Sequence, residues 1–209
     1  MGRIDPVSTA TVKWDEYPAD VDLPIVLQHA LDAFVATGYH GTTVRDLAKR
    51  LGQTVPAIYY HYENKQALLV ALLMRSIDDL VERCVLAETE ASEDPAQRLS
   101  QLVRCIVLYV ANRREMSFID SEIRSLEPEN RNSYVEKRDR LERMVTRVVT
   151  DGMESRAFLP GDSHAHARAI INMLRGIANW YRNGGQLSPE DLSERYIVYS
   201  LRIVGHRAS

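Results

Sequence analysis

From Leu23 onward the apolar residues return every three to four positions, the period of an amphipathic helix, and no stretch of useful length alternates as a strand would. The pattern predicts a first helix from about Asp22 to Thr37, closed by Gly38. A second opens at Thr43, whose hydroxyl can cap the amide of Asp46, and stops at Gly52. Thr54 caps a short third helix, Val55 to about Tyr60, with Pro56 in the first turn, where amides have no intrahelical partner. Asn64 opens a long fourth helix with Leu69, Leu72, Leu73, Ile77, Leu80, Val81 and Cys84 on one face.

Pro95 begins a fifth helix, striped by Leu99, Leu102, Val103, Ile106 and Val110, and a short one covers Glu115 to Arg124. Another long helix runs from Pro128 to Asp151, and the next starts at Asp162 or Ser163 and carries Ile170, Met173, Leu174, Ile177 and Tyr181 on one face. Ser188-Pro189-Glu190-Asp191 is a strong opening for the last helix, which reaches about Val204: a capping serine, proline at the first position and acids at the positive end. The fold class is therefore all-α, with about nine helices. Residues 1–20 have no apolar period and read as a tail that Trp14 and Tyr17 can pin locally. Residues 21–66 form a three-helix N-terminal domain, and residues 67–209 a larger helical one, with the functional seam inside the fourth helix.

Composition is that of an ordinary globular chain, 45% hydrophobic and 26% charged over 209 residues. A net charge of -3 gives no global support for nucleic-acid binding, so such a reading has to rest on a local patch. The longest apolar run, Ala67 to Met74, is too short to span a bilayer, and the first twenty residues lack a signal-peptide core, so no membrane and a cytoplasmic location are expected. Cys84 and Cys105 have no metal spacing and sit in apolar stripes, as reduced core thiols would, with a redox sensor as the rival reading. No metal or other cofactor is expected.

The stretch TVRDLAKRLGQTVPAIYYHY, Thr43 to Tyr62, is a capped helix, a tight turn at Gly52 and a second capped helix of barely two turns. Val44, Leu47, Leu51, Val55 and Ile58 can lock the two helices together, leaving Gln53, Pro56, Ala57 and Tyr60 outward. A helix with such small tips can enter the major groove of DNA, about 12 Å wide. Groups suited to phosphate surround it: Thr42, Thr43, Arg45, Thr54, Tyr60, His61 and Lys65. Val55 and Tyr59 complete the candidate contact set. The rival reading is a helical hairpin that packs its Tyr-Tyr-His-Tyr cluster on another protein and binds no DNA.

Leu23 to Leu73 resembles the N-terminal domain of the TetR family of repressors. The residues that carry the resemblance are Ala33-Phe34, Gly38-Tyr39, Thr42-Thr43, Val44 to Ala48, Gly52, Pro56 to Tyr62, and Asn64-Lys65 before Leu68-Leu69. Pro56 departs from the small or polar residue usual there. The resemblance implies phosphate contacts from Thr43, Tyr60 and Lys65. It also implies a double-stranded DNA operator as partner, and a homodimer built on the last two long helices. The stripes of Asp162–Asn183 and Pro189–Val204, with Ile177 in the first, suit that interface.

Nothing in the C-terminal half suggests catalysis: there is no phosphate loop, no nucleophile elbow and no paired carboxylate in an apolar setting, and His164 and His166 diverge by about 200° around a helix. A small-molecule pocket is expected instead, with Tyr109, Met116, Phe118, Met144, Met173 and Trp180 as candidate walls, joined by Tyr181. Ile123 to Gly152 and Asn172 to Gly185 resemble TetR-type regulators of lipid and sterol catabolism that answer to CoA thioesters, which implies an acyl-CoA effector. The arginines Arg113, Arg114, Arg124, Arg131, Arg138, Arg140, Arg143 and Arg147 would suit its phosphates.

Overall fold

A computed structural model describes residues 13–18 and 23–206; the predicted helix start at Asp22 and most of the predicted tail lie outside the described residues. Among the described residues all regular structure is helical. The N-terminal domain holds α1 (Ile25–Gly41), α2 (Val44–Leu51) and α3 (Val55–His61), and α4 (Lys65–Thr89) joins it to the rest. The larger part contains α5 (Pro95–Asn112), α6 (Arg114–Phe118), a 3-10 helix (Ile119–Ser125), α7 (Pro128–Glu154), α8 (Ser163–Arg175), α9 (Ile177–Trp180) and α10 (Pro189–Ile203). No described helix is long and apolar enough to cross a membrane.

The polar residues at the helix openings act as their spacing predicts. The amides of Asp46, Ala57, Ala67 and Asp191 donate to the side chains of Thr43, Thr54, Asn64 and Ser188. Ala165 N donates to Asp162, which settles that cap in favour of Asp162 over Ser163. Each bond satisfies a donor that the first helical turn would otherwise leave open.

Two predicted helices are subdivided. Glu115–Arg124 becomes α6 followed by the 3-10 helix, and the single helix expected over Asp162–Asn183 breaks at Gly176 into α8 and α9. Tyr181 consequently ends α9 instead of continuing the α8 face; it is buried and donates its hydroxyl to Leu187 O (3.1 Å). One apolar core runs through both parts, with Phe34, Leu47 and Ile58 in the N-terminal end and Leu99, Leu102, Val145 and Ile170 in the other. Cys84 and Cys105 are fully buried free thiols, Sγ to Sγ 3.7 Å, and the hydrogen bond that Cys84 donates to Cys105, together with burial, holds the Cys84 thiol well above its ordinary pKa.

Candidate functional site

The N-terminal site is built on two corners. At the first, Gly38 breaks α1 with φ 76° and ψ 163°, a conformation essentially reserved to glycine. The Tyr39 amide, released from the helix, donates to Glu122 Oε1 of the 3-10 helix (3.1 Å). At the second, Gly52 closes α2 in the left-handed region, and the amides of Gly52 and Gln53 both return to Ala48 O. Thr43 and Asp46 form a reciprocal capping box, and the Thr43 hydroxyl bond holds the Asp46 carboxyl below its usual range.

These corners fix α3, whose Ile58 is fully buried against the domain while Pro56, Ala57, Tyr59, Tyr60 and His61 stand in solvent. Tyr60 is 86% exposed, the most open large apolar side chain described, and leans edge-on against His61. A ring left so exposed costs apolar hydration, which contact with another molecule would recover. Arg45, Gln53 and Thr54 are exposed beside it, and Val55 is half-buried.

Two sequence-predicted contact residues have other duties. Thr42 is 3% exposed, its hydroxyl donating to Gly38 O (3.0 Å) and facing Thr37 Oγ1; a phosphate cannot reach it, so it leaves the interface. Lys65 is half-buried, donates to Tyr39 O (2.8 Å) and Thr42 O (2.9 Å), and lies 4.1 Å from the Tyr39 ring centroid. Burial lowers its pKa. It locks the α1–α2 corner before it does anything to DNA. Lys65→Met is therefore expected to cost about 2 kcal/mol of stability, because hydrogen bonds to a charged group are worth roughly 1.5–3 kcal/mol. Urea unfolding checks this: a residue that only touched phosphate would leave the midpoint unchanged.

A second feature lies in the larger part: a cavity of about 380 Å³ between α4, α5, α6, the 3-10 helix, α7, α8 and α9. Ile77, Leu80, Ile106, Phe118, Leu141 and Ile171 supply apolar walls. Its polar groups come from distant segments: Ser76, Tyr109, Asp120, Tyr134, Arg138, Asn172, Arg175 and Asn179. Asp120 accepts from the Tyr134 hydroxyl (2.6 Å) and pairs with Arg175, whose burial lowers its own pKa. Ser117 Oγ, also at the wall, is buried with no partner.

Of the six predicted walls, Tyr109 and Phe118 line this cavity. Met116 and Met144 are buried outside it, Met144 bordering a separate arginine-lined cleft, while Met173 is half-buried and Trp180 49% exposed. Apolar periodicity marks burial, and these residues are buried against helices or left facing out, not set around a void. Among the predicted arginines Arg138 reaches the cavity, whereas Arg113 is buried with its guanidinium over the Tyr17 ring and Arg147 pairs with Glu88. Ile177 is fully buried within its own chain and cannot form a subunit interface. The open apolar surface lies beside it: Trp180, Val198 and Tyr199 are 44–49% exposed, with Tyr196 packed edge-on to Tyr199.

Known proteins match both parts of the chain. Residues 26–72 match the family model of bacterial regulatory proteins, tetR family, and residues 92–204 match the tetracyclin repressor-like C-terminal domain. The chain is 27% identical over 179 residues to the HTH-type transcriptional repressor KstR2 of Mycobacterium tuberculosis, covering 84% of this chain and 89% of that one. A bacterial regulatory protein in the tetR family from Rhodococcus RHA1 superposes with a TM-score of 0.83 at 27% identity, covering 88% and 96% of the two chains. AibR, solved in complex with isovaleryl coenzyme A and operator DNA, shares the fold with a TM-score of 0.76 at 22% identity over 83% of this chain and 95% of its own. Nothing in these matches favours a protein-binding hairpin or an enzyme. The chain belongs to the tetR family of bacterial regulatory proteins: a DNA-binding transcriptional regulator with an N-terminal helix-turn-helix and a helical C-terminal domain.

Proposed function

We propose that this regulator is a cytoplasmic homodimeric repressor that leaves its operator when an acyl-CoA enters the cavity. Residues 21–66 read DNA and residues 67–209 sense and dimerise. Gln53, Pro56, Ala57 and Tyr60 address the groove, with Val55 and Tyr59 at its edge. Thr43, Arg45, Thr54, His61 and the remaining Lys65 donor address phosphate.

One observation carries the link between the two sites. The 3-10 helix Ile119–Ser125 presents Asp120 to the cavity, and two residues later Glu122 holds the Tyr39 amide at the Gly38 break. Ser125 also bonds His40 (3.2 Å). A ligand that disturbs the Asp120–Arg175 pair therefore acts on the element that sets the α1–α2 corner. Release needs preference for the DNA-incompetent arrangement, and a hundredfold loss of affinity corresponds to about 2.7 kcal/mol of it.

The cavity volume suits the acyl part of such a ligand. AibR, of the same fold, is solved with isovaleryl coenzyme A. The nucleotide would stay outside, near Arg138 at the wall.

Gel shift against the DNA upstream of the protein's own gene tests the reading, with isovaleryl-CoA and longer acyl-CoA thioesters added, and free CoA at equal concentration as control. A thioester should dissociate the complex and raise the melting temperature of the free protein, and free CoA should do neither. If the whole thioester panel leaves both measurements unchanged, the effector class is wrong while the DNA-binding activity stands.

A further inference from the structure

The segment preceding α1 is seated on the effector domain by contacts too specific for a passive tail. Arg83, on the second half of α4 and 6% exposed, donates from Nη1 to three backbone carbonyls: Lys13 O (2.9 Å), Trp14 O (3.3 Å) and Glu16 O (3.0 Å). Its Nε is anchored to Asp79 Oδ1 (2.8 Å), so the guanidinium is held ready for those acceptors. Trp14 is buried and donates its indole N–H to Glu90 Oε2 (2.7 Å). Tyr17 lies under the guanidiniums of Arg83 (4.4 Å) and Arg113 (5.5 Å), and meets Tyr109 edge-on at 6.3 Å. Both buried arginines are thus partnered from residues 13–17.

Tyr109 is the pivot. It is buried, lines the cavity, and donates its hydroxyl to Ser76 O (2.9 Å), while Ser76 Oγ, also at the wall, donates to Met116 O (3.1 Å). One face of the cavity wall therefore rests on Tyr17. From Pro18 to the first residue of α1 is seven residue steps, a reach of at most about 25 Å at ~3.6 Å per residue. The leading end of α1 is thus tethered within that distance of Pro18, the residue after the ring that meets Tyr109.

We propose that residues 13–18 are a strap tying the DNA-reading domain to the cavity wall, which makes Trp14, Tyr17 and Arg83 positioning residues for operator binding. The strap adds to the connections that α4, α6 and the 3-10 helix make with α1, and it enters at the opposite end of α1 from the Glu122 contact. Seated, it holds α1 in the operator-binding arrangement. A side chain or ligand that pushes Tyr109 outward unseats it.

The test uses the full chain and its Trp14→Ala/Tyr17→Ala variant, with operator affinity measured across a salt series and folding checked by urea unfolding. Operator affinity should fall about tenfold with the log-log salt slope unchanged, because no phosphate contact is removed. Equal affinity in the two proteins overturns the proposal. So does a loss accompanied by a shallower slope, which would mean that the segment grips DNA itself. Where the double variant unfolds, Tyr17→Leu, which keeps apolar cover and loses the ring, carries the same two outcomes.

A second measurement needs neither DNA nor effector. In 5-fluorotryptophan-labelled protein Trp14 and Trp180, the chain's two tryptophans, give two fluorine resonances, with Trp14 assigned from Trp14→Phe. Filling the cavity by Ala178→Phe should move the Trp14 resonance towards its position in the unfolded chain. A Trp14 resonance indifferent to the filled cavity would break the link between strap and wall. The strap rests on the operator-binding reading, and the two fail differently: a wild-type protein that ignores operator DNA sinks that reading, whereas equal binding by wild type and variant sinks the strap alone.

Discussion

Ala57→Glu is expected to abolish specific operator binding while leaving the fold intact. Ala57 is exposed in the first turn of α3, directly after the Val55-Pro56 opening and beside Ile58, which anchors the helix to the core. A glutamate there meets solvent in the free protein, and an acid near a helix N-terminus is not destabilising. Against DNA the same carboxylate faces base-edge acceptors and phosphates, and an interface error of this kind costs about 1–3 kcal/mol per half-site. A dimer carries it twice. The summed cost, roughly 2–6 kcal/mol, corresponds to a loss of about 30-fold to more than 10,000-fold. Gel shift with operator and with unrelated DNA, beside a thermal melt, measures it. Retained operator affinity at an unchanged melting temperature would mean that α3 does not enter the groove.

The parts of this design legible in the sequence are the local ones. Thr43, Thr54, Asn64 and Ser188 act within three residues of themselves, and the turn at Gly52 needs only its own left-handed φ. Spacing along the chain is enough to place them. What the sequence hides is set by distance. Thr42 and Lys65 look like phosphate groups because they are polar and adjacent to the motif, yet Thr42 turns back to Gly38 and Lys65 reaches 26 positions to the Tyr39 carbonyl. The cavity's charged pair joins positions 120 and 175, and its third member, Tyr134, comes from another helix.

Likewise the methionines expected to line the cavity have the right chemistry and the wrong neighbours. A helical stripe reports that a face is covered, not whether side chains or a void cover it. Two local signals were present and point the right way. Gly176 interrupts the pattern where α8 ends, and Trp14 with Tyr17 marks an otherwise polar segment that packs as the strap.

Dimer formation should fail in Val198→Asp/Tyr199→Asp. In α10 the buried side chains Leu192 and Ile197 serve the protein's own core, whereas Val198 and Tyr199 are 45% and 44% exposed. Trp180, 49% exposed at the end of α9, extends the same kind of surface. A two-fold interface sets each patch against its copy, so one substitution places its charge on both sides of the contact. Buried unpaired carboxylates cost several kcal/mol, and like charges facing each other add to it, while an exposed site in the monomer tolerates them. The monomer should therefore remain folded, which Ile177→Asp, aimed at a fully buried side chain, would not permit. Two readers must sit about 34–36 Å apart, or a multiple of one helical turn, to share one face of DNA. A monomer loses that joint engagement, and operator affinity should fall by roughly 10²–10⁴, the usual gain from linking two modules. Sedimentation and gel shift together decide the matter. A double variant that sediments as a dimer, with an unchanged melting temperature and full operator affinity, would place the subunit interface away from α9 and α10.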